Sequence, residues 1–363
     1  MKPEVTVVGA GPAGSVAAKK ASSRFDTAIH GEPNRDVKCA GIISVDGLRK
    51  LGLDRKEYLL NTVRGAYIHS PSGVKVAVDA GFEKARVIDR GLFDRMLYDE
   101  ALDAGARPVP GYVKPQDASS LPGGRVVVAT GTDYGIHKRV GLGAPNRFLV
   151  GAQYEMKADM DDDFVEVYFN VPGFFSWIIP VGDYARIGLC SYGKAKQRLD
   201  LFVKKLEREG RLKSKTRISE SYGPIPVHEP GLNTQSDRYV SVGDAAGQVK
   251  ATTGGGVVFG CLSANLCLQE EYETAWKSRF GRELHTHLIL YRLFHSLSDK
   301  NKDRFFKVFA GNTESLNRGD MDYASKTLRH LAGDPRIAFR LLKYSPFFLW
   351  SLLPRPFISK PTI

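Results

Sequence analysis

Cysteine is scarce in this chain, with four among 363 residues: Cys39, Cys190, Cys261 and Cys267. They are widely spaced and form no CxxC pair, which excludes a zinc ribbon or dithiol redox motif and predicts free thiols. Long apolar runs are also missing. The two longest, 256–268 and 346–353, fall short of the roughly 20 residues that cross a bilayer, so no transmembrane helix is expected. The strand-like run 4–8 leaves no room for a charged and then apolar leader, and a cytoplasmic chain is expected. Metal-ligand patterns fail as well. His285 and His287 lie two apart on a helical stretch and face apart, while the acidic turn 159–163 lacks the spacing and bidentate glutamate of a calcium loop. No metal is expected.

What is present suits a globular chain: 42% hydrophobic and 25% charged residues can bury a sizeable core, in two domains or one with a helical appendage. Fifty-two Lys and Arg against 40 Asp and Glu leave +12, which points to an anionic partner: nucleic acid, a membrane surface or a phosphorylated substrate. From Glu271 onward 16 residues are basic and 9 acidic. The stretch 335–363 holds five basic residues and no acid, among Ile337, Phe339, Phe347, Phe348, Trp350 and other apolar residues. Two readings stand for it, an interfacial segment meeting an anionic leaflet and a packed helix with a solvated basic face. No nucleic-acid module accompanies the charge, so nucleic acid is not expected.

The first forty residues carry a nucleotide motif. The apolar run 4–8 leads into Gly9-Ala10-Gly11-Pro12-Ala13-Gly14 and a helical stretch, 15–22. Gly9 serves the tight turn, Gly11 the close approach of a pyrophosphate and Gly14 the packing of helix on strand, with the helix N-terminus facing the phosphates. A second strand, 27–30, leads to Glu32, whose carboxylate can accept ribose hydroxyls and disfavours a 2′-phosphate, so FAD or NAD is expected rather than NADP. A second cradle follows. A strand near 238–243 ends in Gly243-Asp244-Ala245-Ala246-Gly247, and Thr253-Gly254-Gly255-Gly256 opens an apolar helix at Val257. Asp244 at a strand end can bond a ribityl hydroxyl, and the helix N-terminus can stabilise negative charge at the pyrimidine end of a reduced isoalloxazine. NAD has no ribityl chain, so FAD is expected.

These segments resemble flavoproteins of the p-hydroxybenzoate hydroxylase class and, within it, the geranylgeranyl reductases. Lys38-Cys39-Ala40-Gly41, Val87-Ile88-Asp89-Arg90-Gly91-Leu92-Phe93-Asp94 and the two glycine cradles are similar to that family. So is Pro172-Gly173-Phe174-Phe175-Ser176-Trp177-Ile178-Ile179-Pro180, with Gly188 eight residues on, which resembles the reductases' substrate-cavity signature. The resemblance implies that Ala13 and Glu32 bind the adenosine half of FAD and that Cys39, the candidate catalytic residue, lies near the isoalloxazine with Ala40 and Gly41. It implies Arg90 and Val113 along the cofactor, Asp244, Gly256 and Val257 at the ribityl and pyrimidine end, and Phe175, Trp177, Ile179, Pro180 and Gly188 around the prenyl cavity. Departures are visible. Phe175 replaces a tyrosine, Ile179 a phenylalanine and Cys190 a glycine, while Ala129-Thr130-Gly131 puts threonine where the hydroxylases carry aspartate.

By composition alone Cys39 reads as a small buried hydrophobe, Arg90 as a surface charge and the aromatics around Trp177 as core. The fold class expected is α/β: a Rossmann-type FAD-binding domain (1–62, 86–145, 223–270) interleaved with an antiparallel-sheet substrate domain (63–85, 146–222), followed by a C-terminal helical region (271–363). The function implied is an FAD-dependent reductase saturating geranylgeranyl chains of archaeal-type lipids or prenyl diphosphates. NAD(P)H or reduced ferredoxin would be the donor, and the chain would be peripheral at the inner face of the cell membrane. The alternatives are a flavin monooxygenase or halogenase, and a non-catalytic membrane-associated flavoprotein. Phe175-Ser176-Trp177-Ile178-Ile179-Pro180 is one residue from the halogenases' tryptophan-x-tryptophan-x-isoleucine-proline signature, and a halogenase needs a lysine beside its substrate, for which Lys75 and Lys84 are the candidates.

Overall fold

A computed structural model of the chain describes residues 2–33, 37–310 and 313–335. Its architecture is the expected α/β arrangement of a parallel nucleotide-type sheet, a largely antiparallel second sheet and a helical C-terminal region. In the first sheet Val5–Val8 sits between Thr27–His30 and Arg125–Val128, all parallel, with Arg107–Val109 on one edge and Tyr239–Ser241 and Gln235–Ser236 on the other. The central strands are buried on both faces, which is why they read as continuous Val and Ile runs rather than alternations. The helix Pro12–Ser22 covers one face through Ala17, Ala18 and Ala21, packing with Phe259, Tyr272 and Trp276.

The second sheet has seven strands, in the order Leu212–Pro226, Phe148–Ala158, Tyr184–Ser191, Ser176–Val181, Phe164–Tyr168, Gly65–His69 and Lys75–Asp79. One face packs on the helix Ala195–Arg208 through Leu199, Phe202 and Leu206. Burying each of these stabilises by about 1.5–3 kcal/mol. The opposite face carries the residues of interest. A third, three-stranded sheet (Ile42–Ser44, Ala85–Ile88, Leu59–Val63) lies outside both and carries the loop that ends at Gly41.

The tail 336–363, on which the interfacial reading rests, lies outside the described residues. Among the described residues no helix is long and apolar enough to cross a membrane.

Candidate functional site

The first cradle is closed by contact. Gly9 has φ +108°, and a Cβ there would sit 2.2 Å from the Ala129 carbonyl oxygen; a Cβ on Gly14 would sit 1.9 Å from the Gly9 carbonyl oxygen. Helix and strand therefore meet backbone to backbone. Over Gly11 the space is open, and Pro12 follows at the first helical turn, which holds no acid. The turn's free amides and positive dipole end are available to a phosphate. Glu32 is exposed just past the strand Thr27–His30. The two cradles share a wall, because a Cβ on Gly243 would lie 3.0 Å from that of Ala13.

In the second cradle Gly243–Ala246 forms one helical turn, and the glycines at 254–256 lead into the helix Val257–Ala264. No hydrogen bond reaches the Asp244 carboxylate among the described residues; burial pushes its pKa up, against the charge of Arg90. Such a carboxylate suits a hydroxyl-bearing ligand that donates to it. Thr130 donates its hydroxyl to Asp133 O at 2.5 Å, and Gly131 follows with φ +63°. Val113 packs its side chain into the core with Val8, Val126 and Leu121, so only its backbone can meet a cofactor.

Arg90 opens the helix Arg90–Asp103, whose N-cap Asp89 accepts from Leu92 N at 3.0 Å. Its guanidinium pairs with Asp94 at 2.9 and 3.2 Å and interacts with Cys39. Cys39 is partly exposed and accepts from Gly41 N at 3.4 Å.

On the facing sheet, Trp177 pairs with Gly188, and a Cβ on Gly188 would meet the indole at 2.5 Å. The missing side chain is what lets the ring lie flat on the sheet. Trp177 Nε1 donates to Gln153 Oε1 at 3.1 Å. Phe175 stacks on Phe174 at 4.2 Å and meets Phe169 at 5.8 Å and Trp177 at 6.1 Å, edge to face. Ile179 is only 3% exposed and packs with Val63, Val87 and Val181, so it supports the wall from within the core; Pro180 is buried beside it. Cys190, opposite Gly151, is a buried thiol with its pKa pushed up to about 12 by burial. Lys38 lies against Gly223 of the same sheet, so the loop through Cys39 and the Trp177 face confront each other.

No family model matches the chain. Among relatives, a digeranylgeranylglycerophospholipid reductase of Methanocaldococcus jannaschii is 28% identical over 86% of this chain and 92% of its own, one of several similar proteins of that name. A solved geranylgeranyl bacteriochlorophyll reductase-like protein from Thermoplasma acidophilum superposes with a TM-score of 0.76 at 20% identity, covering 95% of this chain and 99% of that one. The chain is similar over most of its length to proteins named digeranylgeranylglycerophospholipid reductase. A flavin-dependent brominase shares the fold at a TM-score of 0.62 and 15% identity, over 96% of this chain and 99% of its own.

Several residues around this site escape sequence reasoning. Arg186 donates through Nη1 to Ala40 O at 3.0 Å and Ile88 O at 3.1 Å, and through Nε to Glu155 at 3.1 Å, tying the Cys39 loop to the sheet. Tyr134 donates to Asp244 O at 2.9 Å, His137 Nε2 to Ala245 O at 2.9 Å and His228 Nδ1 to Gly247 O at 2.8 Å. Three side chains thus hold the carbonyls of the Gly-Asp turn. None sits in a motif, and no local signal marks them.

A carbonyl only accepts, so both histidines donate and are held neutral. Burial lowers the pKa of His137, and it pushes that of His228 down to about 4. The unfolded chain, with a histidine pKa of roughly 6.5, takes up this proton first. The His228 contribution is therefore complete above about pH 6.5 and is lost as pH falls through about 4, a decline of about 3 kcal/mol. Urea midpoints at about pH 7 and about pH 4.5 should fall less in His228→Gln than in the unaltered protein. Parallel declines would refute this account.

Proposed function

We propose that the chain binds FAD between its two glycine cradles and reduces the double bonds of geranylgeranyl chains, carried by archaeal-type membrane lipids or a prenyl diphosphate. The observation that carries this reading is the Trp177 ring spread over side-chain-free Gly188, opposite the Cys39 loop. Once bound and reduced, FAD would supply the hydride for one alkene carbon, with a proton from solvent completing the saturation at the other. The residues do the rest. Glu32 accepts the ribose hydroxyls, the first helix turn meets the pyrophosphate, and Asp244 accepts from the ribityl chain. An isolated alkene offers no polar handle, so Phe175 and Trp177, backed by the buried Phe174, hold it by apolar contact and keep water out. The donor is NAD(P)H or a reduced ferredoxin, and the basic tail meets the anionic surface in which the substrate lies.

Neither lysine considered for the halogenase reading is found at the Trp177 ring. Lys75 stands opposite His69, in register with Tyr168 and Ser176, and that row faces away from Trp177; its ammonium lies 3.6 Å from the Tyr67 ring. Lys84 lies against Phe82.

Photoreduced protein mixed anaerobically with a geranylgeranyl lipid is expected to reoxidise with formation of a saturated product detectable by mass spectrometry. Gly188→Val should retain flavin yet slow this step by about a hundredfold, because the displaced indole no longer holds the alkene. Reoxidation by oxygen alone would favour the monooxygenase, and no reoxidation a binding protein.

A further inference from the structure

The C-terminal helical region reads in the sequence as an appendage, yet its turn at 320–323 reaches the back of the glycine loop 252–256. Lys250, 7% exposed, pairs with Asp322, 0% exposed, at 2.6 Å, and donates also to Met321 O at 3.1 Å. The other Asp322 oxygen accepts the hydroxyl of Ser44, which caps the helix Val45–Leu51 by accepting from Gly47 N at 2.9 Å. Asp320 builds the turn by accepting the amides of Asp322 and Tyr323 at 2.8 and 2.9 Å. A second connection runs through His287. Its Nε2 donates to Asp322 O at 2.9 Å, so Nδ1 carries the lone pair and accepts the Thr252 hydroxyl at 2.6 Å.

The same lysine closes the loop by its backbone. Lys250 O accepts from Thr253 N at 3.2 Å and Gly254 N at 2.8 Å, and Lys250 N donates to Gly255 O at 3.1 Å. The packing behind it leaves no slack, since a Cβ on Gly47 would lie 2.5 Å from Ser44 Oγ, 2.6 Å from Val258 and 2.8 Å from Asp322 Oδ2. A buried ion pair gains little net stability after desolvation, but it demands one geometry of its partners. Here the partners are the helix Val45–Leu51, the glycine loop and the C-terminal turn.

We propose that the Lys250–Asp322 pair, with the Thr252–His287 link, is a positioning device that sets the loop 252–256 for the flavin, making the turn 320–323 a working part of the cofactor site. This rests on the FAD reading above.

The test is FAD titration of the purified full-length apoprotein, together with the midpoint potential and absorption spectrum of the bound flavin. Lys250→Met should weaken FAD binding at least about tenfold and move both the potential and the spectrum. Thr252→Val, which removes one hydroxyl and no charge, should weaken it by about three- to tenfold in a protein that still folds and melts cooperatively. Affinity within twofold of the unaltered protein and an unmoved potential in both variants would overturn the proposal. Should Lys250→Met fail to fold, Thr252→Val decides by itself. Failure of the unaltered apoprotein to bind FAD would instead refute the FAD reading.

Discussion

Replacing Gly14 by alanine is expected to abolish cofactor retention and to lower the melting temperature by about 5 °C, a packing cost of about 2–3 kcal/mol. The added methyl would lie 1.9 Å from the Gly9 carbonyl oxygen, 3.0 Å from its carbon and 3.1 Å from Ala129 Cβ. None of these is the far end of a flexible side chain. Either the helix Pro12–Ser22 lifts from the sheet or the turn opens, and both carry the amide donors away from the pyrophosphate position. Gly11→Ala is the control. Nothing lies within 4 Å of its added Cβ, so it should melt with the unaltered protein while losing affinity for the nucleotide. Equal melting temperatures for Gly14→Ala and the unaltered protein would show that the contact is not tight.

The second large effect is at Arg186. Leucine there should cost about 3 kcal/mol, because the Ala40 and Ile88 carbonyls lose their donor and Glu155 loses a buried partner. The Cys39 loop should loosen with it. Cys39 is the partly exposed thiol, while Cys190, Cys261 and Cys267 are buried, so maleimide labelling reads this loop selectively. Faster labelling of Cys39 in Arg186→Leu is expected, and Arg186→Lys should recover little, since one ammonium cannot reproduce a planar fork serving two carbonyls and a carboxylate. Unchanged labelling and melting would remove Arg186 from the account.

Legibility followed sequence distance. Gly9, Gly11 and Gly14 announce themselves because a turn and a close approach are demands made on neighbouring residues. The strand Ser176–Val181 shows as a short continuous apolar run, as a strand covered on both faces does. By contrast, the 15-residue strand Leu212–Pro226 gives no apolar stripe, because it lies at the sheet edge with a largely exposed, Lys-rich outer half. The helix Ala195–Arg208 carries a readable stripe, its four buried residues Ala195, Leu199, Phe202 and Leu206 recurring at helical spacing among charges.

The amino-acid order alone therefore settled the α/β class and the glycine positions, since each follows from local conformation and periodicity. Folding in three dimensions decided how the flanking site is held. Arg186 meets Ala40 across 146 residues, His137 meets Ala245 across 108 and Lys250 meets Asp322 across 72. A lone arginine, histidine or lysine in a sequence carries no mark of such a partner. Only the packing that brings the carbonyl or carboxylate within about 3 Å, away from water, turns it into part of a site.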